Sequence, residues 1–322
     1  MTSERAKNVA QLVLGISLIA VFLSITNPIE IYANVIRTDL ATYVFGLAFF
    51  LLVYPIAALR WIEICPDHMI RVSSSLKTIA ISYGLNKVLP FNSGDIARSK
   101  IMQNYTEVES HGELLGLVGL ERVSDIVVLS ATASISLITF LPASNVFFTA
   151  LPIVLVISGM YSLRKFEDLF INLIDTLSPT LLFNVGEHLK DGLGSFNRVS
   201  LDKLLVVILL TSVRWLLNIV SFYIIISSAG MSLSIAQVAA LTSLMSLVAS
   251  LPITPAGLGA VEISATGLLI SFGLSTAESG TVVLLTRSVG VLLMGIVGLV
   301  VLSLEGLELN QISHSSSPLF SE

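Results

Sequence analysis

Charge is the scarcest commodity in this chain. Only 12% of its 322 residues are Asp, Glu, Lys or Arg, about half of the roughly 25% that keeps a soluble globular domain in water. That shortage excludes an ordinary soluble protein. Cysteine is nearly absent as well: the single Cys65 excludes an intrachain disulfide. The four histidines, His68, His111, His188 and His314, are scattered. No His, Cys or Asp set has the spacing of a metal site, and no Gly-x-Ser-x-Gly elbow presents a nucleophile. No catalytic residue, cofactor or metal is therefore expected, nor a nucleic-acid partner, and a membrane enzyme acting on a lipid-linked substrate is the less favoured reading.

Apolar residues fill the space that charge leaves. The hydrophobic fraction is 54%, and runs of about 20 residues recur, each long enough to cross about 30 Å of hydrocarbon. The runs lie at residues 9–26, 40–59, 73–89, 113–141, 145–163, 204–227, 235–251, 256–272 and 281–304. They are continuous rather than alternating, which favours helices over the strands of a membrane barrel. The expected fold is all-α: a polytopic membrane helix bundle. Runs 73–89 and 256–272 are short, and the second is interrupted by glycine and carries Glu262, so both are read as broken or re-entrant elements. Six full spans plus two re-entrant elements around the Leu-Pro breaks are expected.

The run at 9–26 follows Arg5 and Lys7 without a small-x-small cleavage site and is read as a retained first helix. Arg60, Arg71, Lys77, Lys87, Arg98 and Lys100 lie between the second and fourth runs, and Arg164, Lys165, Lys190, Arg198 and Lys203 between 163 and 204. Arg37 alone falls in an outer loop. This bias places the N-terminus and both large loops in the cytoplasm of a multi-pass cell-membrane protein. A single transmembrane domain over 1–310 is expected. Its halves, about 1–163 and 204–304, are joined by a cytoplasmic amphipathic segment, 164–203, and a Ser-rich disordered tail follows at 311–322.

Two stretches carry the chemistry. Leu89-Pro90-Phe91-Asn92-Ser93-Gly94-Asp95-Ile96-Ala97-Arg98 and Leu251-Pro252-Ile253-Thr254-Pro255-Ala256-Gly257-Leu258-Gly259-Ala260-Val261-Glu262 each follow a short apolar run. Pro90, Pro252 and Pro255 remove backbone donors and end a helix; glycine permits the reversal. The restarted helix offers free N–H groups and a positive dipole end to an anion. Leu120-Glu121-Arg122 follows the first break and Leu285-Thr286-Arg287 the second, with 32 and 35 residues from the first proline to the arginine. Paired broken helices in corresponding places point to a transporter's central site and predict an inverted repeat. A charge at mid-membrane costs at least about 2.5 kcal/mol, so Glu121, Arg122, Asp125, Arg214, Glu262 and Arg287 require a reason. They either pair to hold helices together or line a polar pathway for a charged headgroup.

The order of these motifs resembles one family. Leu89 to Arg98 looks like its Leu-Pro-x-x-x-Gly-(Asp/Glu)-x-x-Arg motif, Glu121-Arg122-Val123-Ser124-Asp125 like its Glu-Arg-x-x-Asp, and Leu251 to Glu262 like its Pro-x-x-Pro-Gly-Gly-x-Gly-x-x-Glu, with Ala256 in place of the first glycine. Arg287 falls where the family has an arginine opening the last helix. The family is the flippase-like transmembrane domain of lysylphosphatidylglycerol synthases, also found as stand-alone proteins. The resemblance implies a lipid flippase moving a phospholipid or lipid-linked substrate between leaflets. It carries over Gly94, Asp95, Arg98, Glu121, Arg122, Asp125, Gly257, Gly259, Glu262 and Arg287 as substrate-binding residues. The chain ends soon after its last helix, so fused synthase chemistry is not expected, and a separate synthase or glycosyltransferase could be its partner. A non-transporting accessory subunit is the alternative.

Overall fold

The computed structural model describes residues 2–65, 70–88, 93–102, 105, 111–139, 199–251, 254 and 257–305. The expected run at 145–163, nearly all of the 164–203 connector, the tail at 311–322, and Pro90, Pro252 and Pro255 lie outside them. No strand occurs among the described residues. In chain order the helices are α1 (Thr2–Ile25), α2 (Pro28–Ile36), α3 (Leu40–Phe50), α4 (Val53–Ile64), α5 (Val72–Val88), α6 (Ser93–Met102), α7 (His111–Ile138), α8 (Leu201–Ser228), α9 (Ile235–Ser250), α10 (Ala260–Ser271), α11 (Thr276–Ser288) and α12 (Gly295–Leu304). A π-helical turn, Val289–Met294, joins the last two.

Leu40–Ile64, Leu201–Ser228 and Thr276–Leu304 are long and apolar enough to cross a membrane. The first of these has a hitch between α3 and α4, because Pro55 cannot donate to the carbonyl of Leu51 and crowds it. Helix α7 has the length of a span but carries Glu113, Glu121, Arg122 and Asp125. Helix α1 passes through Asn27, which adopts φ 48°, and bends by 76° into α2.

The patterning is that of a protein dissolved in lipid. Along α8, Leu201, Leu205, Leu209, Leu216 and Tyr223 face outward, while Thr211, Arg214, Asn218 and Ser221 are buried. In hydrocarbon the polar side must turn inward, toward partners. Buried hydroxyls are satisfied locally: Thr211, Thr242 and Thr286 donate to the carbonyls of Val207, Val238 and Val282, four residues back.

Three sets of contacts fix the topology. First, the Asp39 N–H donates to Ser228 O at 2.8 Å, Ser221 Oγ to Gly46 O at 2.9 Å, and Arg60 Nη1 to Thr211 Oγ1 at 3.1 Å. The numbers fall on α8 as they rise on α3–α4, so these spans are antiparallel. Second, Lys77 Nζ and Tyr105 Oη both reach Glu305, at 2.7 and 3.2 Å. The start of α5, the residue beyond α6 and the end of α12 therefore meet at one end of the bundle. The α5–α6 hairpin enters and leaves there, which makes it re-entrant.

Third, α9 begins seven residues after α8 ends and α10 stops five residues before α11 begins. Both junctions lie at the opposite end: Ser228 bonds Asp39, and Asn34 Nδ2 donates to Thr281 Oγ1 near the start of α11 at 3.3 Å. The α9–α10 hairpin is thus re-entrant from the Asp39 end, and the two hairpins approach from opposite ends. Helix α5 lies antiparallel along the π-turn and α12 of the other half, and α9 packs against α7. The α5–α12 crossing is close enough that a β-carbon on Gly84 would stand 2.6 Å from Gly298 Cα, the small-residue contact by which membrane helices associate.

Candidate functional site

Each hairpin resumes as a helix with a carboxylate in third place: Asp95 in α6 and Glu262 in α10. Each following long helix carries an arginine in twelfth place: Arg122 in α7 and Arg287 in α11. At about 1.5 Å per residue, each arginine stands roughly 16 Å along its helix, counted from opposite ends of the bundle. The carboxylate and arginine of each half are paired. Asp95 Oδ2 accepts from Arg122 Nε at 2.9 Å and Nη2 at 2.5 Å. Glu262 Oε1 accepts from Arg287 Nε at 2.7 Å.

The other carboxylate oxygen fastens the break itself. Asp95 Oδ1 accepts from Ser82 Oγ at 2.9 Å and Asn86 Nδ2 at 3.0 Å, across the α5–α6 hairpin. Glu262 Oε2 accepts from the Gly259 N–H at 2.7 Å. The glycines make these approaches possible. A β-carbon on Gly94 would lie 2.2 Å from Ser82 O, and one on Gly259, where φ is 77°, would lie 2.2 Å from Leu18 Cβ of α1. Gly257, at φ 69°, packs against Ala249 of α9. These three glycines therefore shape the breaks.

A larger network surrounds the first pair. Arg60 donates from Nη2 to Glu121 Oε1 and from Nη1 to Asp125 Oδ1, the latter at 2.6 Å. Arg98 Nη2 reaches Glu121 Oε2 at 2.6 Å, and its guanidinium lies 4.4 Å from the centroid of the Trp61 ring. Asp125 Oδ1 also accepts from Arg214 Nη2 at 2.7 Å and Trp215 Nε1 at 3.1 Å. Arg60, Arg98 and Glu121 are fully buried. Removing any one of them would strand a charge away from water, the costly outcome for buried ions.

The sequence places Arg122 in the bundle interior with a carboxylate from Glu121, Asp125 or Glu262. It is paired inward, but its close partner is Asp95; Asp125 stands 3.8 Å away. Glu121 is taken by Arg60 and Arg98, and Glu262 by Arg287. The expected residues thus fall into two groups. Asp95, Arg122, Glu262 and Arg287 are the paired charges at the two breaks, whereas Arg98, Glu121 and Asp125 knit α4, α6, α7 and α8 together.

Two of the basic residues counted between the second and fourth runs lie inside the bundle. Arg60 belongs to α4, which runs to Ile64, and is 0% exposed. The signal was present: Ala57, Trp61 and Ile64 continue the buried face beyond Leu59. Lys87 is in the last turn of α5. Its Nζ has no hydrogen bond or ion pair among the described residues, and the charges acting most strongly on it, Arg287, Arg122 and Arg214, are of its own sign. Arg71 and Lys77 remain as exposed basic residues at the Glu305 end. Among the described residues, no group of His, Cys, Asp and Glu could hold a metal ion.

Residues 8–298 match the family model described as the lysylphosphatidylglycerol synthase TM region. Neither the curated proteins nor the solved structures yield a match to this chain.

Proposed function

Starting from the fact that the chain belongs to the lysylphosphatidylglycerol synthase TM region family, a membrane domain associated with lipid handling, we propose that it moves a phospholipid or lipid-linked molecule between leaflets. The observation that carries this reading is the pairing of Asp95 with Arg122 and of Glu262 with Arg287 on two hairpins that enter from opposite ends. A headgroup resting between the hairpin tips has polar company at mid-membrane, while its acyl chains stay in lipid.

Rocking one half against the other opens the site to each leaflet in turn, as in transporters built from inverted halves. Arg122 and Arg287 attract a phosphate, because guanidinium keeps its charge and donates in a fork. Asp95 and Glu262 hold those arginines in place and release them when the headgroup arrives. Gly94, Gly257 and Gly259 let the broken helices approach closely. Arg98, Glu121 and Asp125 brace the surrounding helices. The Glu305 end, with Arg71 and Lys77, faces the cytoplasm of the cell membrane, and the protein works as a transporter rather than an enzyme.

The test is reconstitution of the purified protein alone in vesicles containing a chain-labelled fluorescent phospholipid. Lipid exchange above that of protein-free vesicles, reduced by Asp95→Asn and by Glu262→Gln, is expected. Exchange no faster than in protein-free vesicles, or seen only after a second protein is added, overturns the reading.

A further inference from the structure

We infer that α1 is a lateral gate over the second break, swinging about the elbow at Asn27 to let a headgroup in from the lipid. The inference rests on reading the breaks as the headgroup site, and it adds the route by which the second one is entered.

Helix α1 meets the bundle along one narrow stripe. Gly15, Phe22 and Thr26 are buried and Leu18 and Ile19 partly so, while Ile16, Val21 and Ile25 face outward. The stripe lies on the second break. Leu18 closes over Gly259, and a β-carbon on Gly15 would stand 3.6 Å from Leu258 Cβ and 3.7 Å from Thr254 Cβ. On this side α1 therefore stands between the break and the lipid. At the first break, the atoms nearest to Gly94 belong instead to its own hairpin, on Ser82 and Asn86.

This cover is held loosely but anchored at one end. Among the described residues no hydrogen bond or ion pair joins α1 to α10; Ser17, Ser24 and Thr26 donate their hydroxyls to carbonyls of α1 itself. Lipid tails are as apolar as the helix faces, so burial gives no hydrophobic gain and packing alone keeps α1 in place. The elbow is fastened. A β-carbon on Gly280 of α11 would lie 2.5 Å from Ile31 Cδ1 and 3.0 Å from Thr26 Cβ, and Asn34 bonds Thr281. Between anchor and arm, Asn27 takes φ 48° and the chain turns by 76°. A left-handed backbone costs energy at any residue with a β-carbon, and a swing that returns Asn27 to an ordinary φ recovers it. Thr254 supplies a second reason to open. Its hydroxyl is buried beneath Gly15 without a hydrogen-bond partner, an unfavourable state for a polar group. Moving α1 aside uncovers that hydroxyl at the break that carries Glu262.

Two measurements in a Cys65→Ala background test the gate. The first locks it. Gly15→Cys with Leu258→Cys places the two β-carbons at the separation a disulfide needs. Oxidation with copper phenanthroline should close the bond and bring exchange of the chain-labelled phospholipid down to the level of protein-free vesicles; a reductant should restore it. The second watches motion without transport. Spin labels at Ile16→Cys and Leu284→Cys, both on exposed positions, should give two distances by pulsed electron paramagnetic resonance in phosphatidylcholine–phosphatidylglycerol vesicles. Asn27→Ala, which tolerates the left-handed elbow less well than Asn, should enrich the longer one several-fold. Unchanged helical circular dichroism checks the fold of each variant. Failure of the cysteine pair to oxidise, exchange at an undiminished rate in the oxidised protein, or a single narrow distance that Asn27→Ala leaves unaltered overturns the inference. Two distances without lipid exchange in the reduced protein would sink the transport reading and leave the gate standing.

Discussion

Lys87 and Gly290 come from opposite halves of the chain and touch: a β-carbon on Gly290 would lie 3.3 Å from Lys87 Cε. This contact joins the tip of the first hairpin to the π-turn of the last span. Such turns, which widen a helix by one residue, recur at functional sites.

The contact predicts a graded series at position 290. Gly290→Ala should be tolerated, because the flexible end of Lys87 can give way by a few tenths of an ångström. Gly290→Leu should push the π-turn away from α5 and lower Tm. Thermal unfolding and circular dichroism on both variants check this; a Gly290→Leu Tm equal to that of wild type would contradict the contact.

Arg60 predicts a loss of stability rather than of ligand. It is fully buried and answers both Glu121 and Asp125. Arg60→Met would leave Glu121 to Arg98 and Asp125 chiefly to Arg214, with cost of the order of 3–5 kcal/mol for breaking a buried pair. A large drop in Tm is expected, partly recovered in Arg60→Lys. A Tm within a degree or two of wild type would contradict the network.

The Lys77–Glu305 pair predicts a pH-dependent latch at the end of the first hairpin. A hydrogen bond from Lys77 is the main reason the Glu305 carboxyl titrates below its ordinary range, with lesser help from the charge of Lys77 and from Tyr105. For a carboxylate whose folded value is lowered, the contribution is present above the ordinary range and disappears as pH falls through the lowered value. Hydrogen exchange at the end of α12 should therefore quicken on acidification, and Glu305→Gln should abolish that dependence. A Glu305→Gln profile matching wild type would contradict the latch.

Orientation is tested by labelling. In a Cys65→Ala background, a cysteine at Ser200 should react only from the cytoplasmic side and one at Thr38 only from outside. The reverse pattern would invert the topology.

Much of the fold could be read from the chain, because lipid makes simple demands: apolar runs must be helices, and Pro with Gly must break them. The two short runs announced the two hairpins, and the recurring order of motifs singled out Asp95, Arg122, Glu262 and Arg287, though not which of them pair. What escaped was pairing and depth. The sequence offers Glu121, Asp125 or Glu262 for Arg122; Asp125 does stand 3.8 Å away, but the hydrogen-bonded partner, Asp95, lies 27 residues earlier, on the restarted helix of the hairpin. Arg60 and Lys87 count in the sequence only toward the basic bias between the second and fourth runs, and only three-dimensional packing shows Arg60 as a buried cation with two carboxylates. Arg98 illustrates the same limit. Fully buried on Trp61 and Glu121, it is now expected to lower stability when changed to Ala, rather than to act through the headgroup alone.

The central claim is that two hairpins entering from opposite ends share one phosphate site. It is tested most directly by an electron cryo-microscopy structure of the protein with phosphatidylglycerol. The account predicts headgroup density between the two breaks, its phosphate within hydrogen-bond reach of Arg122 and Arg287. Lipid bound only on the outer surface, with Arg122 and Arg287 bonded to Asp95 and Glu262 alone, would contradict it.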